Sequence, residues 1–197
     1  MLVDEARWID QSQHGDVNAF THLVELYQGK VFNLCYRMMG DPAEAEDAAQ
    51  ETFLRAYRSM KRFDPGKPFS SWLFSIAAHH CIDLIRQRHL SVLPVDEFPD
   101  QDLPDKTQGP EAVACMSEEQ RQVRALLSKL NPTDRAAVIF YYWYDYSHDE
   151  IARELGLSIS AVKSRLHRAR LEMAKLWLEH SHHQPAPQRR LYESSAV

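Results

Sequence analysis

An all-α fold, with two small helical domains joined by an extended acidic linker, is the architecture this sequence predicts. Three observations predict it. Apolar residues recur at steps of three and four from Val17 to about residue 90 and again after residue 117, without strand-like alternation in either region. Both regions carry helix-start signals: a capping residue followed by proline, or by Glu or Gln three positions on. Between them, residues 91–117 hold four prolines, one glycine, six acids and one base. Proline removes backbone donors and like charges repel, so this stretch is expected to be extended and irregular. The predicted organisation is an N-terminal extension at 1–16, a helical domain at 17–90, the linker at 91–116, a second helical domain at 117–179 and a tail at 180–197. The polar tail is expected to be disordered.

The first domain opens with a stripe of Phe20, Leu23, Val24, Tyr27, Val31, Leu34, Cys35 and Met38. A second helix begins at Asp41–Pro42, where Asp41 can cap, Pro42 fits the first position and Glu44 completes a capping-box pattern. Ala45, Ala49, Phe53, Ala56 and Met60 form its inward stripe. Its opposite face carries Asp47, Glu51, Leu54 and Arg58, and a large leucine among charges suggests a partner surface. After an Asp64–Pro65–Gly66 turn, another helix starts near Ser70 and carries Trp72, Ile76, Leu84 and Ile85.

In the second domain, Ser117 and Gln120 form a capping-box pattern ahead of Val123, Leu126, Leu127 and Leu130. Asn131–Pro132 starts a helix with Val138, Ile139, Tyr141 and Tyr142 as its apolar core. Ser147 and Glu150 cap a short helix that Gly156 ends, and Ser158 caps the last one. Two helices across a tight Gly-containing turn form a helix-turn-helix pattern.

Charge is distributed unevenly. The chain carries a formal net charge of −5, and residues 91–117 alone supply that much. Lys163 to Lys175, by contrast, hold five Lys or Arg and one acid. An acidic total therefore does not exclude a nucleic-acid partner. On a helical projection Val162, Leu166, Ala169, Met173 and Leu176 form one narrow stripe. Opposite lie Ser160, Ser164 and His167, flanked by Lys163 and Arg168, while Arg165 and Arg170 sit on the shoulders. Small hydroxyls permit close approach to base edges, long cations donate to guanine or neutralise phosphates, and the helix N-terminus at Ser158 to Ser160 can meet a phosphate. This face is expected to read a DNA major groove.

Other classes lack support. No apolar run approaches the roughly 20 residues a membrane-spanning helix needs, and the acidic MLVDEARWIDQ start does not resemble a signal peptide, so a cytoplasmic location is expected. Cys35, Cys81 and Cys115 are far apart and read as buried hydrophobes rather than a disulfide or zinc site. Asp47 with Glu51, and His79 with His80, lack a surrounding ligand set or a phosphate-binding glycine loop, so no catalytic residue, metal or cofactor is expected. His180, His182 and His183 are read as an adventitious cluster.

Two blocks, in order, resemble the extracytoplasmic-function (ECF) group of the sigma-70 family of bacterial transcription initiation factors. They are DPAEAEDAAQETFLRAYRSMKRFDPGKPFSSWLFSIAAHHCIDLIRQ and LNPTDRAAVIFYYWYDYSHDEIARELGLSISAVKSRLHRARLEM, and the resemblance spans about residues 17–178. One departure is His79–His80, which stands near a usual asparagine. The resemblance implies a region 2 domain and a region 4 helix-turn-helix domain. It implies binding to the clamp helices of the RNA polymerase largest subunit through positions matching Asp47, Gln50, Glu51 and Leu54, and to the polymerase flap through region 4. It also implies capture of the downstream (−10) promoter element as single strand, with an extruded base held by a loop. That loop places Arg62, Phe63, Asp64, Gly66, Lys67 and Phe69 at the base pocket, with Arg58 and Lys61 near the backbone. The upstream (−35) element falls to Ser158, Ser160, Lys163, Ser164, Arg165, His167 and Arg168. The linker would thread polymerase toward the RNA path, where an acidic chain can stand in for nucleic acid. An anti-sigma factor, possibly membrane-borne, is the further partner implied, and no small-molecule substrate is. A response regulator with a LuxR-like helix-turn-helix shares the IA-x-x-L-x-x-S-x-x-x-VK pattern, but it requires an α/β domain that the helical first region does not supply.

Overall fold

The computed structural model describes residues 2–91 and 118–181, with side chains described for 4–88 and 120–179. These form α1 (Leu2–Gln13), α2 (Val17–Met39), α3 (Pro42–Ser59), a single 3-10 turn (Met60–Arg62), α4 (Phe69–Ser91), α5 (Glu118–Lys129), α6 (Pro132–Trp143), α7 (His148–Glu154) and α8 (Ile159–Ser181). No strand occurs among the described residues. Most of the predicted linker and tail, the Ser117 cap, Cys115, His182 and His183 lie outside these residues, although α4 reaches Ser91 and α8 reaches Ser181 and so includes His180.

Local chemistry explains the helix ends. Asp16 caps α2 by accepting from the N–H groups of Asn18 and Ala19, and Gly40 ends it at φ 83° while its N–H donates to the Tyr36 carbonyl. That left-handed conformation carries little penalty in glycine. Asp41 caps α3 by accepting from the Glu44 N–H at 3.0 Å. The expected reciprocal half of that box is replaced: the Glu44 carboxylate accepts from Arg88 at 2.8 Å instead. Asn131 caps α6 through the Thr133 N–H. Ser147 and Glu150 form a complete capping box on α7, and the two hydrogen bonds from Ser147 hold the Glu150 carboxyl below its ordinary range. α1 is an addition to the sequence reading, which assigned no element to 1–16. It packs across α2, with the Tyr27 hydroxyl donating to Glu5 at 2.6 Å and Trp8 stacked on His22 at 4.9 Å.

α2, α3 and α4 bury Leu23, Val31, Leu34, Met38, Ala45, Ala56, Leu73 and Ala77 between them. The core continues into the second region through Leu127, Ala137, Val138, Ile139, Phe140 and Ile151. Full burial of one aliphatic side chain contributes about 1.5–3 kcal/mol, so a core spanning both regions couples their stability.

Directional contacts reinforce this seam. The Tyr144 hydroxyl donates to the Lys30 carbonyl at 2.6 Å, the Ser75 hydroxyl to the Glu154 carbonyl at 2.8 Å, and Arg86 to the Thr133 hydroxyl at 3.1 Å. Arg135 is buried at the junction. Its guanidinium donates to the Met38 carbonyl at the end of α2, and to the Ser128 and Leu130 carbonyls at 2.7 and 3.4 Å. Burial pushes its pKa down to about 10, still far above neutrality, so the group remains a cation. Cys35 and Cys81 are free and buried nearby, and the hydrogen bond with Cys35, together with burial, pushes the Cys81 thiol up.

Candidate nucleic-acid interface

α8 is the outer helix of the helix-turn-helix. The turn before it is made by Gly156 at φ 64°, by Leu157, whose N–H donates to the Ala152 carbonyl at 2.8 Å, and by Ser158. Ser158 caps α8 by accepting from the Ala161 N–H at 3.2 Å, and its hydroxyl lies 3.1 Å from that of Ser160. Val162, Leu166 and Ala169 are fully buried against the rest of the domain, which fixes the rotation of α8 about its axis. Met173 and Leu176 continue the stripe, half-buried. With that stripe inward, Ser160, Lys163, Ser164, His167 and Arg168 are all exposed on one side. The result is a polar, cationic face with small hydroxyls between long donors.

Two shoulder arginines are engaged within the protein. Arg165, placed among the upstream-element residues, donates to the Asp134 carboxylate at 2.5 Å, and Arg168 approaches the same carboxylate at 3.9 Å. Asp134 is buried in the first turn of α6, so it anchors Arg165 as a structural pair and aims Arg168 from one side. Arg170 donates from Nε to the Tyr142 hydroxyl at 2.9 Å and lies over the Tyr141 and Tyr142 rings. Asp134 was missed as a functional neighbour. An acid one turn into a helix reads as a partner for the helix dipole, and nothing in the sequence links it to an arginine 31 positions on.

The second patch lies at the end of α3 and the loop to α4. Arg58, Lys61, Arg62, Asp64, Gly66 and Lys67 are exposed and contiguous in the chain. The Asp64 carboxylate accepts from the Gly66 N–H at 3.0 Å, and a Cβ at position 66 would sit 3.2 Å from that same oxygen. A side chain there would press on the Asp64 carboxylate and shift it slightly. The Lys67 N–H closes the loop on the Asp64 carbonyl at 3.0 Å.

Phe63 and Phe69, which the resemblance places at the base pocket, are buried beneath the loop. They are 4% and 3% exposed, and their rings meet each other at 5.4 Å and Trp72 at 5.0 and 5.5 Å. Burying two large rings outweighs leaving them free for a base, so they form the floor beneath the loop rather than its open surface. Trp72 is half-buried against the same cluster, as expected of a core residue.

On α3, Asp47, Gln50 and Leu54 are exposed on one face, with Leu54 at 51%, and Glu51 is half-exposed beside them. Glu51 accepts from Arg55 at 2.9 Å, and that hydrogen bond holds its carboxyl below the ordinary range. His79 is exposed, while His80 is buried, and burial pushes its pKa below the usual imidazole value. No helix among the described residues is long and apolar enough to cross a membrane.

Comparison with known proteins gives these faces a family. Residues 23–90 match sigma-70 region 2 and residues 120–173 match sigma-70 region 4. The chain is similar to the ECF RNA polymerase sigma factor SigW of Bacillus subtilis, at 33% identity over 183 residues, covering 85% of this chain and 93% of SigW. It is 31% identical over 173 residues to the RNA polymerase sigma factor CnrH of Cupriavidus metallidurans, covering 84% of this chain and 90% of CnrH. The solved structure of CnrH in complex with the cytosolic domain of CnrY has a TM-score of 0.64 at 26% identity, covering 89% of this chain and 98% of that one. These matches run through both helical regions in order, and with them the chain belongs to the ECF sigma factors of the sigma-70 family.

Proposed function

We propose that this sigma factor grips its promoter at two separate places while holding core polymerase through a third. The exposed Ser160–Lys163–Ser164–His167–Arg168 face of α8 reads the upstream element as duplex. Its support is the buried Val162–Leu166–Ala169 stripe, which commits the opposite side of the helix to solvent; this observation carries the reading. The cationic stretch from Arg58 to Lys67 takes the downstream element as single strand. Basic side chains follow the phosphates, and the loop between Asp64 and Lys67 receives an unstacked base. Unstacking costs a few kcal/mol per base, so affinity for the open strand contributes to melting. As an initiation factor, the protein contributes no catalysis of its own; polymerase supplies the chemistry.

The Asp47–Gln50–Glu51–Leu54 face of α3 is the polymerase contact, with Leu54 as its apolar centre. Buried apolar anchors among polar neighbours dominate interface energies, so Leu54→Glu is expected to weaken binding to core polymerase by about 2 kcal/mol or more, roughly thirtyfold. Titration of labelled core with the full chain checks this. Unchanged affinity would remove Leu54 from the interface.

Regulation by an anti-sigma factor and action in the cytoplasm complete the proposal. The first is supported by the likeness to CnrH, whose solved structure is a complex with the cytosolic domain of CnrY. The second is supported by membership of a family that works with RNA polymerase.

A further inference from the structure

The loop assigned to the downstream strand is tied at its entry by a residue outside both matched regions. Gln13, the last residue of α1, directs its side-chain amide at two main-chain carbonyls, that of Met60 at the start of the 3-10 turn and that of Phe63 just after it. Nε2 lies 2.7 Å from the Phe63 carbonyl and 3.3 Å from that of Met60. The region 2 match begins at residue 23, beyond α1.

Each end of the loop is anchored by a buried ring, Phe63 before it and Phe69 after it. Between them, Asp64 to Pro68 are exposed. Two hydrogen bonds on this stretch, from the Gly66 and Lys67 N–H groups to Asp64, are internal to it, and the Pro68 carbonyl at its exit accepts from the Trp72 N–H of α4 at 3.3 Å. The internal pair fixes the shape of the turn, and the Pro68 bond ties its exit to α4. Direction at the entry is set by the peptide plane at Phe63, whose carbonyl accepts from Gln13. α1 is itself held, through Tyr27 to Glu5 at 2.6 Å and through the Trp8–His22 stack. A fixed helix thus carries a fixed donor to the first peptide of the loop.

We propose that Gln13 is a positioning residue for single-strand capture: by holding the Phe63 carbonyl it pre-sets the direction in which Asp64 to Lys67 meet an extruded base. The inference rests on reading this loop as the base pocket. It assigns α1 a part in promoter opening rather than in packing alone. Pre-organised loops bind more tightly because less freedom is lost on binding, so removal of the donor lowers strand affinity by about tenfold.

The test uses the full chain bound to core polymerase. The probe is a fluorescent single-stranded oligodeoxynucleotide of the non-template strand, from a promoter located by sequencing run-off start sites. Gln13→Leu keeps the volume and removes the donor, while Gln13→Lys restores a donor. Arg62→Ala with Lys67→Ala tests the pocket itself, and binding to upstream duplex together with the thermal midpoint reports general damage. The expected result is a tenfold loss on the strand for Gln13→Leu, recovery of most of it by Gln13→Lys, and unchanged duplex binding and midpoint. Strand affinity within twofold of the parent for Gln13→Leu, while Arg62→Ala/Lys67→Ala loses it, overturns the role of Gln13 and leaves the pocket standing. If the Arg62/Lys67 variant also binds normally, the pocket reading falls and takes this inference with it. Equal losses on strand and duplex overturn it as well, because they make Gln13 a packing residue only.

Discussion

Arg135→Ala is expected to destabilise the folded protein by about 3–5 kcal/mol, a large fraction of the 5–15 kcal/mol typical of a domain. The favourable contacts outweigh the burial of the charge and of a guanidinium Nε that has no hydrogen-bond partner. The side chain is 6% exposed and satisfies three carbonyls, on Met38, Ser128 and Leu130. Leaving buried acceptors without donors costs about 1–3 kcal/mol each where water cannot reach them. The Met38 carbonyl lies in the last turn of α2, where the negative helix end adds to the attraction for a cation. Truncation also opens a cavity between the two helical regions, and the surrounding core relaxes only in part. Arg135→Lys should recover little, since one ammonium on a flexible stem cannot reproduce a planar fork spread over two helices. Urea unfolding at neutral pH, followed by far-ultraviolet circular dichroism, measures the difference. A loss below about 1 kcal/mol would show that water replaces the guanidinium at the junction.

The second large effect concerns recognition. Lys163→Ala combined with Arg168→Ala should weaken binding to the cognate upstream duplex by about 2–5 kcal/mol if each cation meets a base edge or phosphate, a loss of thirtyfold or more. Both side chains are exposed, and Arg168 has only a distant ion pair at 3.9 Å, so folding should be almost untouched. The salt dependence of the residual binding should flatten, because fewer counterions are released. Arg165→Ala separates two roles. With its guanidinium 2.5 Å from buried Asp134, its loss acts on the fold first and on DNA through the altered placement of Arg168. Fluorescence anisotropy over a salt series, with polymerase affinity measured in parallel, distinguishes a reading face from a solvated one.

Sequence legibility followed the range of the interactions involved. The stripe Val162–Leu166–Ala169, the Ser147–Glu150 capping box and the Gly156 turn depend on residues within one or two turns of each other, and local spacing exposes them. The outward face of α8 followed from the same stripe, since fixing one side of a helix fixes the other. α1 was not read although its sequence is amphipathic, because its place depends on distant partners such as Tyr27 and Phe63. The seam between the two regions was equally hidden: Arg135 meets a carbonyl 97 positions away, and a lone arginine after an aspartate reads as a surface charge. Phe63 and Phe69 illustrate a third kind of ambiguity. Aromatics in a basic loop suit both a base stack and a core, and the choice depends on whether Trp72 and Tyr27 come close enough to bury them. Glu44 shows the same competition at smaller scale, where Arg88 from α4 displaces the local cap.

The central claim is that this chain directs polymerase to promoters by reading one element as duplex and another as open strand. Run-off transcription with purified core polymerase, the full chain and fragmented bacterial DNA, followed by sequencing of the start sites, tests it most directly. The account predicts initiation at a restricted set of sites sharing two short sequences at fixed spacing, abolished by Lys163→Ala/Arg168→Ala and absent with core alone. Starts scattered without a shared pair of elements, or starts unchanged by that double substitution, would contradict it.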